Sequence, residues 1–268
     1  MVPTKRRFLY SFNAHSFIVI CWLLILSLYA TLPITAKTLV AAGRPFHFKA
    51  PTGLSPATPT PLLILLHGYH IDSTQQDAYM GFGKLVETRR FLYAYPDGTR
   101  HNGDPTGWLF WNGNGCCQAW GTPVDDLGYI DAIIEAVMAT NRVSHVFLVG
   151  HSNGGILAHR YACERTRSRA PVTGIISLGG PISVGSTRCR IGGGLVSVLQ
   201  IQGSGDTSLP YEGGSLRLPG FTFGIVPSAE QTVMMWAGRN RCTGTITEGA
   251  APFDIDTAVP GPETSPRP

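Results

Sequence analysis

Residues 150 to 154 read GHSNG, a serine with a glycine two positions to either side. A serine hydroxyl serves as an acyl-transfer nucleophile when a tight strand-to-helix turn projects it into a cleft. Such a turn needs small neighbours, because a side chain there would crowd the bend. The flanks fit: Val146 to Val149 is a short apolar run ending at Gly150, and a helical pattern starts after Ser152 and extends to about Glu164. A bare pentapeptide of this form also describes a glycine-rich turn with a surface serine, and it is the strand before and the helix after that favour the nucleophile. Ser152 is the candidate nucleophile.

Acyl transfer also needs N–H donors for the developing oxyanion. The residue after the nucleophile, Asn153, supplies one backbone N–H, and the loop after an earlier strand supplies the other. His67-Gly68-Tyr69 at the end of Leu62 to Leu66 fits that loop, with Tyr69 N–H as the donor. His67 reads as a packed histidine that braces the loop. A carboxylate should follow the serine in chain order. Asp206, after the run Leu195 to Ile201 and among Gly203, Ser204 and Gly205, is the expected acid. Glu212 is second, in a stretch that reads as an ordinary turn.

The elements that must position these residues follow from short apolar runs bounded by turn residues. Leu62 to Leu66, Phe91 to Tyr95, Val146 to Val149, Gly174 to Leu178 and Leu195 to Ile201 have the form of strands buried on both faces. Arg44, Phe46 and Phe48 alternate in an early strand or hairpin between residues 38 and 50, and a Pro/Thr-rich connection runs to Pro61. Asp125 and Asp126 open a helix to about Thr140 with Leu127, Ile130, Ile134, Val137 and Met138 on one face. Strands alternating with helices imply an α/β fold, a mainly parallel central sheet with helices on both faces. Its active site is expected at the carboxyl ends of the strands.

Composition agrees. Charged residues are 14% of the 268-residue chain and hydrophobic ones 43%, which excludes a disordered, collagen-like or coiled-coil protein. The formal charge of +4 is concentrated at one end: Lys5, Arg6 and Arg7 precede any acid, leaving 18 basic against 17 acidic residues. That is no footprint for nucleic acid. The three basic residues precede an apolar run of 14, Phe17 to Ala30, the pattern of a secretory signal. Ala36 is the expected cleavage site, with Ala30 second. The rival is an uncleaved membrane anchor, since the run extends to Ile34 and 18 residues. Cys21 lacks a small residue just before it and is not read as a lipid-attachment site. The organisation expected is a signal or anchor at 1–36, a catalytic domain at 37–250 and a Pro-rich unstructured tail at 251–268. The domain then faces outside the cytoplasm, secreted or periplasmic. The five remaining cysteines, Cys116, Cys117, Cys163, Cys189 and Cys242, suit disulfides, and their spacing argues against zinc. No metal and no cofactor are implied.

Several motifs in order carry a resemblance. LLHG at 65–68, YPDG at 95–98, the tryptophan and Cys116-Cys117 stretch, VDDLGYI at 124–130, GHSNGG at 150–155 and QGSGDTSLPYEGG at 202–214 look like the secreted polyhydroxybutyrate depolymerase-like esterases. These are α/β-hydrolases similar to the feruloyl and acetyl-xylan esterases of carbohydrate esterase family one. The resemblance spans 44 to about 242. It implies an α/β-hydrolase fold, nucleophile Ser152, acid Asp206 and an oxyanion hole in the loop beginning at His67-Gly68. The implied substrate is an ester: polyhydroxyalkanoate, esterified xylan or a small ester. It implies a structural role for Asp125 and Asp126, and Trp108 and Trp111 become candidates to line the cleft. The family often has Cys where Tyr69 stands.

One departure matters. The family's catalytic histidine lies near the C-terminus, whereas the last histidine here is His159, before Asp206. From Ala251 the chain reads APFDIDTAVPGPETSPRP, where the family continues into a last strand, a histidine loop and a helix. The expectation is a fold lacking those parts. Three explanations stay open: a truncated or frameshifted product, a non-catalytic relative, or a substitute histidine. His70 is the best placed substitute, ahead of His151 and His159. A late family cysteine in the same part would leave Cys242 without its partner.

Overall fold

The computed structural model describes residues 36–100, 107–114, 117, 124–165, 171–183, 194–218 and 221–243. The apolar N-terminal run, the Pro-rich tail, Cys21, Cys116 and Cys189 lie outside the described residues. Alternation opens the fold: β1 (Lys37–Ala41) and β2 (Arg44–Lys49) form an antiparallel hairpin that turns Phe46 and Phe48 inward. The continuous apolar runs become β3 (Thr60–Leu66), β4 (Leu92–Pro96), β7 (Val143–His151), β8 (Val172–Leu178) and β9 (Ser197–Ile201). Two short ribbons, β5 (Thr99–Arg100) with β6 (Leu109–Phe110) and β10 (Gly214–Leu218) with β11 (Phe221–Val226), stand apart.

The sheet has the order β1-β2-β4-β3-β7-β8-β9. β2 runs antiparallel to both neighbours, and every pair from β4 to β9 is parallel. Helices cover both faces. α1 (Ser73–Met80) and α2 (Phe82–Arg89) pack on β3 and β4. α3 (Asp126–Met138), α4 (Asn153–Glu164) and α5 (Ala229–Arg239) lie on the other face. Strand periodicity divides the core accordingly. Leu62, Ile64 and Leu66 of β3 join α3 and α4 in the larger cluster, while Leu65, with Tyr93, Tyr95 and Val149, joins Val86 of α2.

α3 buries more than the expected stripe. Leu127, Ile130, Ile134 and Val137 are inside together with Tyr129 and Ile133, and Met138 is exposed instead. β9 starts at Ser197 rather than Leu195, which is 74% exposed. β9 is the sheet's edge among the described residues. Val198 and Gln200 turn toward α4 and α5, whereas Leu199 and Ile201 on the opposite face are 44% and 45% exposed.

Candidate active site

The end of β7 delivers the serine. Ser152 has φ 51° and ψ −116°, a region that a non-glycine residue rarely occupies and that costs on the order of 1–3 kcal/mol. Hydrogen bonds hold it there: Ser152 N–H donates to Leu178 O at 2.7 Å, and Ile156 N–H donates to Ser152 O at 3.0 Å. The flanking glycines are steric requirements. A Cβ on Gly150 would strike the Gly154 carbonyl, and one on Gly154 would strike the carbonyls of Leu66 and His67. The motif's spacing is thus the condition for β7, α4 and the end of β3 to meet.

The register Leu66↔Gly150 sets the loop after β3 beside this turn. In that loop Gly68 N–H donates to Gln76 Oε1 at 3.0 Å and His70 N–H donates to Leu109 O at 2.9 Å. Tyr69 is half-buried against the cluster of Phe110, Ile156 and Leu209, and its ring meets Trp108 edge-on at 5.9 Å. Asn153 follows the serine in the first turn of α4, where N–H groups have no intrahelical acceptor. Its buried side chain has a separate task, since Oδ1 accepts Trp111 N–H at 2.7 Å and Nδ2 donates to Trp111 O at 3.0 Å.

His67 is the brace its position suggests. Gly98 N–H donates to its Nε2 at 2.8 Å, so the proton sits on Nδ1, which donates to Gly68 O at 2.7 Å. Burial holds this imidazole below its ordinary pKa against the opposing effect of the Gly68 bond. Trp111 does not line a cleft. It is fully buried, donates from Nε1 to His67 O at 3.0 Å and packs on the His67 ring. Trp108 is half-buried beside Tyr69 and His70.

Asp206 stands after β9. Its Oδ1 accepts Ser208 and Leu209 N–H, each at 2.9 Å, and its Oδ2 accepts Gln202 Nε2 at 3.3 Å. The carboxylate lies next to Gly179, the residue after β8. Tyr69, Ser152, Gly179 and Asp206 therefore occupy the carboxyl ends of four adjacent strands, where ligands of such sheets bind. Glu212 is exposed in a turn.

Among the described residues no histidine hydrogen-bonds Ser152 or Asp206. His70, at φ 82°, is exposed with its ring on Trp108. His151 donates from Nδ1 to Gln76 Oε1 at 3.1 Å, and burial lowers its pKa while the Asp206 charge raises it. His159 is fully buried: Trp236 Nε1 donates to its Nδ1 at 2.8 Å, and its Nε2 donates to Gln200 Oε1 at 3.0 Å.

The remaining motifs build the frame. Asp125 caps α3 through Gly128 N–H at 2.9 Å. Asp126 is wholly buried, pairs with Arg44 at 2.7 Å and accepts Asn112 N–H at 2.7 Å. Asp97 of YPDG accepts Ser73 N–H at 2.8 Å at the start of α1. Sequence reasoning passed over Gln76, the polar residue that touches both Gly68 and His151. Its signal was the capping pair Asp72 and Gln75, which marks α1.

No family model matches the chain. The “Putative esterase NocK” of Nocardia uniformis subsp. tsuyamanensis is 27% identical over 192 residues, covering 67% of this chain and 50% of its own length. The “Bifunctional acetylxylan esterase/xylanase XynS20E” of Neocallimastix patriciarum is 25% identical over 173 residues, covering 64% of this chain and 22% of its own. The chain thus spans half or less of the length of these relatives. Among solved structures, a serine-to-cysteine variant of pOPH in complex with DMSO superposes with a TM-score of 0.51 at 14% identity, covering 79% of this chain and 76% of that one. The chain has the α/β-hydrolase fold, and its sequence is similar to those of proteins named as esterases.

Proposed function

We propose that this chain is a serine carboxylesterase of the polyhydroxybutyrate depolymerase-like type, acting through an acyl-enzyme on Ser152. Ser152 Oγ attacks the ester carbonyl carbon, and the carbonyl oxygen takes the negative charge against the N–H groups of Tyr69 and Asn153. Collapse breaks the bond to the alkoxy group, which leaves as an alcohol carrying the serine's proton. Water then repeats the attack, releasing the acid and restoring the hydroxyl. A base must carry the proton in both halves, and Asp206 is the carboxylate that would orient it. Polyhydroxyalkanoate, esterified xylan and small esters all present the acyl carbon this chemistry needs.

The observation that carries the reading is the strained Ser152 backbone between two glycines that tolerate no Cβ. A short-chain aryl ester and a fluorophosphonate probe test it with the full chain and Ser152→Ala. Labelling and hydrolysis that vanish in the variant are expected; equal behaviour of the two proteins rejects the reading. A second reading has its own support, the lack of any histidine bonded to Ser152 or Asp206 among the described residues. In it the chain is a catalytically impaired homologue that binds a polyester or polysaccharide. Weak Ser152-dependent labelling with negligible turnover, together with retention on the insoluble polymer, distinguishes it.

Export belongs to the same proposal: residues 1–36 act as a signal and the domain works in an oxidising space. Cys117 and Cys163 are buried, as cysteines paired in disulfides in such a compartment would be, and Cys242 is exposed and free. N-terminal sequencing of the exported protein checks cleavage after Ala36 or Ala30 against retention in the membrane.

A further inference from the structure

Gln76 is a polar residue wholly buried in α1. Its Oε1 receives two donors from two different segments of the candidate site. Gly68 N–H, in the loop after β3, donates at 3.0 Å, and His151 Nδ1, on the residue before Ser152, donates at 3.1 Å. Both donors need that oxygen, which fixes the amide's orientation and puts the proton of neutral His151 on Nδ1. The same orientation leaves Gln76 Nε2 buried with no hydrogen-bond partner. Burying an unbonded amide N–H is unfavourable. Stability alone does not explain a glutamine at a site where half of its amide is unsatisfied.

The mount is rigid. Asp72 caps α1 by accepting Gln75 N–H at 2.8 Å, Gln75 Oε1 accepts Asp72 N–H at 3.0 Å, and Ser73 N–H is tied to Asp97 at 2.8 Å. The far end closes on Gly81, whose N–H donates to Asp77 O at 2.7 Å. The two segments are also close-packed, since a Cβ on Gly68 would lie 3.0 Å from His151 Nδ1. A single carbonyl on an anchored helix therefore links the loop that carries Tyr69 to the turn that carries Ser152.

We propose that Gln76 is a positioning residue that sets the distance between the Gly68-Tyr69 loop and the Ser152 turn and locks His151 in its Nδ1–H form. Its catalytic consequence rests on the serine esterase reading; its structural consequence does not. The test uses the full chain with Gln76→Met, which keeps the volume without the acceptor, and Gln76→Glu, which keeps the acceptor. Fluorophosphonate labelling of Ser152 should fall about 10- to 100-fold in Gln76→Met, the scale of a small misplacement of reacting groups. Gln76→Glu should restore it to within a few-fold of wild type. Labelling of Gln76→Met at the wild-type rate overturns the proposal.

Two further measurements stand without activity. In the unmutated protein, nitrogen NMR should place the His151 proton on Nδ1, and the Gly68 amide should exchange slowly with solvent. In Gln76→Met that exchange should accelerate. A proton on Nε2, or Gly68 exchange that the substitution does not change, overturns the proposal even if Ser152 never labels. Absent labelling of the unmutated protein with the expected tautomer and exchange rejects the esterase reading and upholds the positioning role.

Discussion

At the residue scale, buried imidazoles separate into those that hold the fold and those near the chemistry. His159 accepts the Trp236 indole N–H on Nδ1, so a second ring proton would break that contact inside a closed core. Burial lowers its pKa to about 4, against bonds to Gln200 and Gly180 that raise it. The unfolded chain, with a histidine pKa of about 6.5, binds more protons across the interval between the two values. This contribution is unchanged above pH ~6.5 and costs the native state about 3 kcal/mol by pH ~4. His67, also lowered by burial, acts in the same direction. Urea denaturation at pH 7 and pH 4.5 should show that loss, and His159→Gln should show a smaller one. Equal pH dependence in the two proteins would refute the assignment. His159 is thus fully engaged in the core, with both ring nitrogens bonded.

At the element scale, polar residues of the motifs decide where strands end and helices begin. Asp126 joins α3 to Arg44 of β2 and to the segment after β6, and it has no contact with water. Asp126→Ala unpairs the part-buried Arg44 and strands the buried Asn112 N–H, so it should lower stability by about 2–4 kcal/mol in chemical denaturation. A loss under 1 kcal/mol would show that the pair is dispensable. The turn at Ser152 and the strands β3, β4, β7 and β8 were legible in the sequence because burial on both faces leaves an unbroken apolar run. α1 was not legible, since STQQDAYM has no helical apolar stripe and its formation depends on capping and on tertiary anchors at Asp72 and Asp97. α5 escaped for a related reason: Val233, Met234 and Met235 point outward, while Thr232 and Trp236 are buried. The site was legible to the extent that chain order sets it. Ser152 and Asp206 were found by position after a strand, but the bonds of Gln76 to Gly68 and His151 arise only when distant segments meet.

At the scale of the whole molecule, the sheet among the described residues is well covered from β2 to β7 and thinly covered at β9. Parallel sheets usually bury both faces, so the exposure of Leu199 and Ile201 marks a region that adds little to stability. The double substitution Leu199→Lys with Ile201→Lys should change unfolding free energy by less than about 1 kcal/mol and reduce binding of a hydrophobic dye. Leu157→Ala, in the core of α4, should cost about 2–5 kcal/mol. Comparable losses at both places would mean that this face of β9 contributes to the core after all. Ser152 stands on a strained turn at the carboxyl end of this sheet. The proposed function requires this serine to be a nucleophile. Incubating the full chain with a fluorophosphonate and mapping the adduct by peptide mass spectrometry tests it directly. One adduct is expected, on the peptide containing Ser152, and none in Ser152→Ala. An unlabelled protein, or the same labelling in both, contradicts it.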